Sequence, residues 1–366
     1  MKSVGILSMQ EVPNYGSFLQ AYALRRMVEA VGVSKCSFIG IERGDALVKP
    51  PVVTLTKPQR IARKLSRLYR EGLPFILKSR ELAADYYNSF TDNIAFLPPA
   101  KASDEFDVAV IGSDEVFNCC QPSWWGFTEQ LFGKVKNAHK VITYAASFGH
   151  TTLDDLNTYG VSQIVARNLR GIASISVRDE NSALIVEKLT DRKPQMHIDP
   201  VLAYGYSAEI DAYTSAPLDK DYIVVYSYGN RITDKEEAAA IRRYAKTHKK
   251  KLVAIMGLYP WCDVLVAPKS PFEVLRWFKY ASGVVTDTFH GTIFSAITHR
   301  PFVTLIRESN KNKLTSLLET IGQEQRQLIA PAFLSNVMDV PINFKSMDER
   351  LSVLRTKSYE YLRENV

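Results

Sequence analysis

Short apolar, β-branched runs recur along the first part of the chain, at residues 4–8, 36–41, 107–113, 141–147, 174–178 and 196–199, with helical spacing between them. That alternation calls for a parallel sheet covered by helices. A second series starts at 222–228 and continues through 252–256, 283–287 and 302–306, with helices predicted over 234–248, 271–280 and 292–297. Between the series, residues 202–220 are polar, rich in Tyr, Ala and Ser, and without a sustained period. A hinge over 204–220 therefore divides a first domain, 1–203, from a second, 221–343. Beyond it, Met347, Leu351, Leu354, Tyr361 and Leu362 keep helical spacing, which predicts a helix over 344–366 packed back across the first domain. The fold class is α/β, with two Rossmann-like, doubly wound domains.

The length, 366 residues, fits two domains that each bury a core. Four cysteines, Cys36, Cys119, Cys120 and Cys262, show no Cys-x-x-Cys spacing, so neither a metal site nor a disulfide framework is expected, and the chain reads as one for a reducing compartment. The apolar stretch at the N-terminus is too short for a signal-peptide core, and no run is long enough to span a bilayer. A cytoplasmic location is expected, with the inner membrane surface as its variant. The net charge of +7 suits an anionic ligand or surface but falls short of a nucleic-acid-binding signature, so no nucleic-acid partner is expected. Oligomeric state is not legible.

One segment stands apart. A helical insertion is predicted over about 57–90, and residues 57–80 carry eight basic residues, Lys57, Arg60, Arg63, Lys64, Arg67, Arg70, Lys78 and Arg80, against the single acid Glu71. Ile61, Leu65 and Leu68 form one apolar edge. A solvated basic face is the simpler reading; a peripheral membrane contact is the alternative.

The strand ends carry the candidate chemistry, because ligands of open α/β sheets bind beyond the carboxyl ends of the strands. The first strand runs into Asn14-Tyr15-Gly16-Ser17, where the exposed backbone N–H groups of a helix start suit an anion or a hydroxyl-rich ligand, or Asn14 serves as an ordinary cap. The third runs into Ser113-Asp114-Glu115, where Asp114 orients or deprotonates a hydroxyl or else caps the next helix. The fourth ends in Ser147, Phe148 and His150, and the fifth in Arg178, whose guanidinium forks onto a carboxylate or phosphate, or pairs with Asp179 or Glu180. In the second domain Tyr226 lies on the opening strand, and a later strand runs into Thr288, Phe289, His290, Gly291 and Thr292. A histidine at a helix N-terminus is held toward its neutral form, ready to exchange protons near neutrality.

Together, Asn14-Tyr-Gly-Ser17, Gly112-Ser-Asp-Glu115, Tyr144-Ala-Ala-Ser-Phe-Gly149, Ser176-Val-Arg-Asp-Glu180, Asp199-Pro200 and Thr286-Asp-Thr-Phe-His-Gly291 resemble the polysaccharide pyruvyl transferase family in content and order. The resemblance implies a glycosyltransferase-B-like pair of domains with the site in the cleft, and no metal or cofactor. It also implies a reaction in which phosphoenolpyruvate, as co-substrate, gives a pyruvate ketal on a saccharide acceptor, a sugar of a cell-surface polysaccharide or of its lipid-linked precursor. Arg178 would bind the donor, His290 would act as acid or base, and Asp114 would assist. Asn14, Tyr15, Gly16, Ser113, Glu115, Ser147, Phe148, His150, Tyr226, Thr288, Gly291 and Thr292 would line the substrates. Some members carry an arginine where this chain has Thr288, so that either Arg300, Arg307, Lys311 or Lys313 replaces its charge or the donor is bound differently. Two other classes fit the same strand ends: a nucleotide-sugar-dependent glycosyltransferase and a non-catalytic glycan-binding or assembly protein.

Overall fold

The computed structural model describes residues 2–49, 56–229 and 231–366. In the first domain β1 (Ser3–Leu7), β2 (Lys35–Phe38), β3 (Phe106–Ile111) and β4 (Ala138–Thr143) pair in the order β2-β1-β3-β4, all parallel. Bridges from Ile142 to Ser174 and from Ala146 to Val177 carry the sheet on to β5 (Ser176–Val177) and β6 (Gln195–Met196), both shorter than the apolar runs that announced them. Residues alternate between two apolar faces: Val4, Ile6, Val108 and Val110 enter one core, Leu7, Ala109 and Ile111 the other. This two-sided burial is what a parallel sheet under helices requires.

The second sheet holds β7 (Tyr222–Ser227), β8 (Lys251–Met256), β9 (Val264–Val266), β10 (Gly283–Thr286), β11 (Phe302–Leu305) and β12 (Gln327–Leu328) in the order β12-β11-β10-β7-β8-β9, again parallel. β9 and β12 escape the sequence pattern because each is only two or three residues long. Strand order reverses between β1 and β3 in one sheet and between β7 and β10 in the other. The loops leaving these four strands therefore open onto the crevices where such folds bind ligands.

The junction is packed more closely than a hinge of 204–220 implies. Helices Pro200–Tyr204 and Ser207–Asp211 occupy its start, Tyr206 is fully buried, and one apolar core runs from Val4 and Leu24 through Tyr206 to Val224 and Phe294. The insertion is two helices, Lys57–Glu71 and Leu73–Thr91, broken at Gly72, whose φ of 78° is in the left-handed region. The second helix docks: Tyr86 donates to Pro13 O at 2.6 Å and packs its ring against Tyr15. The first does not, for Ile61, Leu65 and Leu68 stay 59%, 60% and 42% exposed. The side chains of Arg67, Arg70 and Glu71 lie outside the described residues.

The C-terminal helix Phe344–Asn365 crosses back onto the first domain: Tyr361 donates to Thr143 O at 2.7 Å, and Lys140 and Lys2 bond Asn365 O and Val366 O. Its docking traps His197 between the rings of Tyr144 and Tyr361, with Ser176 Oγ 2.8 Å from Nδ1. Burial, with Lys357 nearby, pushes the His197 imidazole down to about 4. An unfolded histidine titrates near 6.5, so between about pH 6.5 and 4 the unfolded chain binds the extra proton. Stability is therefore expected to fall as pH drops through that window, by on the order of 3 kcal/mol. Denaturant midpoints across pH 7 to 4 test this: the slope should flatten in His197→Gln, and an equal slope in that variant would remove His197 as its source.

Candidate functional site

Helix Tyr15–Ala30 begins at Asn14, whose Oδ1 accepts from the N–H groups of Gly16 and Ser17 at 2.8 and 3.3 Å. Asn14 is thus a cap, and its free amide reaches across the cleft to donate to Tyr228 Oη at 3.0 Å. Opposite, helix Phe289–Ile297 begins at Thr288, whose Oγ1 accepts from Gly291 N at 2.9 Å. The helix starts three residues earlier than the apolar pattern indicated, so His290 lies within its first turn. The His290 ring seats directly over Gly16, and a Cβ on residue 16 would collide with Nδ1 and Cγ of that ring. Gly16 is a glycine because two helix N-termini from different domains meet there with an imidazole between them.

Asp114 leaves β3 with a φ of 66°, a left-handed conformation that aspartate tolerates better than most residues. Its carboxylate accepts from Ser17 Oγ at 2.9 Å and from Arg178 at 3.2 Å. Arg178 also donates to Asp199 at 2.9 Å and stacks its guanidinium 4.3 Å over the Phe289 ring. Its partners are therefore Asp114 and Asp199, each from the end of another strand, where the sequence suggested Asp179 or Glu180. Asp179 instead caps the following helix. Burial disfavours the Arg178 charge, but Asp114 and Asp199 outweigh it and leave the guanidinium more firmly protonated than usual.

His290 lies 7% exposed, with Nε2 3.8 Å from Asp199 and without a hydrogen-bond partner. Burial pushes its imidazole down; Asp199 and Asp114 pull it back up, while Arg178 and Lys313 push it further down. Glu115 accepts from Lys313 and Asn118, both at 2.7 Å, and although burial raises its carboxyl, the Lys313 ammonium holds it at about 2.

These groups enclose a cavity of about 300 Å³ lined by Asn14, Asp114, Glu115, Arg178, Thr288 and His290 together with Tyr228, Arg231, Asp287 and Lys313. That volume is at the small end of the usual range for small-molecule sites, about 300–1,000 Å³. Of the four cations offered in place of an arginine at Thr288, Lys313 is the one that lines this cavity. Arg307 is committed to Glu237 at 2.6 and 2.7 Å, Arg300 bonds Thr298 O, and Lys311 faces solvent.

Eight residues expected at the site are placed elsewhere. Tyr15 packs its ring against Tyr86 and Phe90 and bonds Pro268 O, holding the insertion and the second domain together. Ser113 turns inward to Ala145 O, and Ser147 bonds Asp179 at 2.6 Å. Phe148 stacks in the core with Phe117 and Phe132, and His150 is exposed beside Asn118. Tyr226 is buried against Phe278 and Phe294, because strand alternation sends it to the face opposite its neighbour. Thr292 bonds Thr288 O and Thr304, and Gly291 is pressed against Thr286 and Tyr226. Conversely the sequence singles out neither Tyr228, Arg231 nor Asp287 as site residues, and offers Lys313 only as one of four candidate cations. Asp287 had a legible signal, a carboxylate closing a strand that leads into the histidine helix. Among the described residues no cluster of His, Cys, Asp or Glu is arranged to hold a metal ion, and no helix is long and apolar enough to cross a membrane.

No curated protein sequence matches the chain. Solved structures similar to it include UDP-GlcNAc 2-epimerase from Neisseria meningitidis, with a TM-score of 0.47 and 9% identity over 100% of this chain and 95% of that one. Alpha,alpha-trehalose 6-phosphate synthase from Burkholderia multivorans gives 0.48 and 10% over 100% and 95%. The heptosyltransferase WaaC of E. coli gives 0.35 and 17% over 83% and 88%. The family model for polysaccharide pyruvyl transferase matches residues 14–309, a span that opens at the Asn14 cap, takes in both switch-point crevices and ends just short of Lys313. Two facing Rossmann-like domains, a cleft built from their switch points and that match over most of the sequence agree: the chain belongs to the polysaccharide pyruvyl transferase family.

Proposed function

We propose that the cleft joins phosphoenolpyruvate to two hydroxyls of a sugar, releasing phosphate and leaving a cyclic pyruvate ketal on a saccharide of a cell-surface polysaccharide or its precursor. The observation that carries this reading is the imidazole of His290, buried between two helix N-termini with Nε2 unpartnered in a cavity that also holds Lys313, Arg231 and Arg178. Ketal formation needs cations for the donor's carboxylate and phosphate and groups that move protons at the methylene carbon and the attacking hydroxyls. Three carboxylates, Asp114, Glu115 and Asp287, balance the three cations that line the cavity. An anionic donor therefore binds best when His290 takes up a proton.

A phosphate-release assay with phosphoenolpyruvate across a panel of free sugars and undecaprenyl-linked acceptors tests the reading, which predicts phosphate only when donor and a competent acceptor are both present. Thermal protection by a nucleoside diphosphate and none by phosphoenolpyruvate would instead favour a nucleotide-sugar glycosyltransferase. Saccharide binding without phosphate release would favour a non-catalytic role.

The same proposal places the protein at the cytoplasmic face of the inner membrane when its acceptor is lipid-linked. The unpacked apolar edge Ile61, Leu65 and Leu68, on a helix that also exposes Lys57, Arg63 and Lys64, suits the surface of an anionic bilayer. The protein is expected to sediment with vesicles containing phosphatidylglycerol but not with phosphatidylcholine alone. Leu65→Asp should abolish that binding, and equal sedimentation of this variant would remove the helix from the contact.

A further inference from the structure

Asp287 closes β10 and is fully buried, yet neither carboxylate oxygen has a hydrogen-bond partner. Its polar neighbours are committed elsewhere. Ser227 donates to Tyr228 O, and Tyr259 bonds Ser227 Oγ and Tyr228 O. Arg307 is held in a two-pronged pair by Glu237. Arg231, more than a third exposed and stacked on Tyr228, comes only to 3.8 Å. Asn310 bonds the backbone oxygen of Asp287 and leaves the side chain untouched. A buried carboxylate without hydrogen bonds is costly to a fold, and this one lines the same cavity as His290.

We infer that Asp287 is the seat of the acceptor diol. The two hydroxyls that the ketal bridges donate to its two oxygens, and the carboxylate takes the proton of the hydroxyl that attacks first. The inference rests on the proposed pyruvyl transfer for its chemistry but not for its geometry. A ketal spans two hydroxyls of one sugar a few ångströms apart, and one carboxylate with both oxygens free matches such a pair, whereas an ammonium or a single amide does not. In the step itself the acceptor O–H bond breaks and its proton passes to Asp287. The electron pair released forms the new C–O bond at the enol carbon of phosphoenolpyruvate. The C=C pair of the donor moves to the methylene carbon and takes a proton from His290; the second hydroxyl then forms its C–O bond at the same carbon as the C–O bond to phosphate breaks, and its proton leaves with the phosphate. Burial pushes the Asp287 carboxyl up against the pull of Ser227, Arg231 and Arg307, which makes it a better base than an exposed aspartate.

Asp287→Asn keeps the shape and removes the charge. Three measurements on the full chain separate the outcomes. Because the carboxylate has no hydrogen-bond partner in the fold and its nearest cation, Arg231, is distant and partly exposed, the variant is expected to melt at the same temperature as the parent or higher. A melting point lower by several degrees, or failure to fold, would show a structural partner of Arg231 and overturn the inference. Methyl glycosides of galactose, glucose and mannose, followed by saturation-transfer NMR, are expected to bind the parent and to bind the variant at least tenfold more weakly. Equal binding, or a parent that binds none of them, would overturn it. Phosphate release should fall at least a hundredfold while phosphoenolpyruvate affinity is kept. If the parent releases no phosphate with any acceptor but the variant still loses glycoside binding, pyruvyl transfer fails and the diol site stands.

Discussion

Arg178→Ala is expected to cost the fold about 3–5 kcal/mol, more than any other single substitution at the site, because it strands charges that the chain has already buried. The guanidinium side chain is 2% exposed, and Asp199, which takes one of its N–H groups, is 0% exposed. Asp114, which takes another, is held by only one further hydrogen bond, from Ser17. Urea denaturation should show a much lower midpoint with a similar slope. The triple change Arg178→Met, Asp114→Asn and Asp199→Asn should recover most of the loss, since removing all members of a buried ionic cluster costs far less than removing one. A single variant as stable as the parent would mean that Asp199 finds another donor, and would return Arg178 to the simple donor-binding role suggested by its place at a strand end. In the structure it first joins three strand ends, β3, β5 and β6, and whatever it contributes to a bound anion is what those carboxylates leave over.

That difference shows what the sequence could and could not carry. Alternating apolar runs sufficed to place ten of the strands and both domains, because burial on two faces is a strong and local pattern. The strand ends of the first series identified Asn14, Asp114 and Arg178, and the histidine helix of the second identified Thr288 and His290, all of which line the cavity. Strand ends do not reveal which way a side chain turns. Ser113, Ser147 and Thr292 sit at the right ends and spend their hydroxyls on backbone or neighbouring polar groups inside the fold. Tyr226 and Tyr228 differ by two residues, but β7 ends between them, so one is core and the other cleft. Lys313 is a surface-like lysine in a helical segment until the first domain presents Glu115 to it. Such pairings depend on how the two domains meet, which no local period encodes.

His290→Gln is expected to lower turnover about a hundredfold or more while leaving folding and most of the donor affinity in place, the usual scale for removing a positioned acid or base. Glutamine fills a similar volume over Gly16 and keeps a polar tip near Asp199, so packing is little changed, but it cannot exchange a proton. The pH dependence supplies a second reading of the same residue. In the free protein, burial lowers the imidazole below its ordinary value, so near neutrality the ring is mostly neutral. A bound anionic donor favours the charged form and raises it again. Donor binding then takes up a proton, and by linkage the affinity strengthens as pH falls toward the bound-state value and weakens as pH rises above it. Calorimetric titrations of phosphoenolpyruvate at several pH values, in buffers of different ionisation enthalpy, should show this proton uptake in the parent and none in His290→Gln. A folded His290→Gln protein with near-normal turnover, or with undiminished proton uptake, would assign the proton to another group of the cleft.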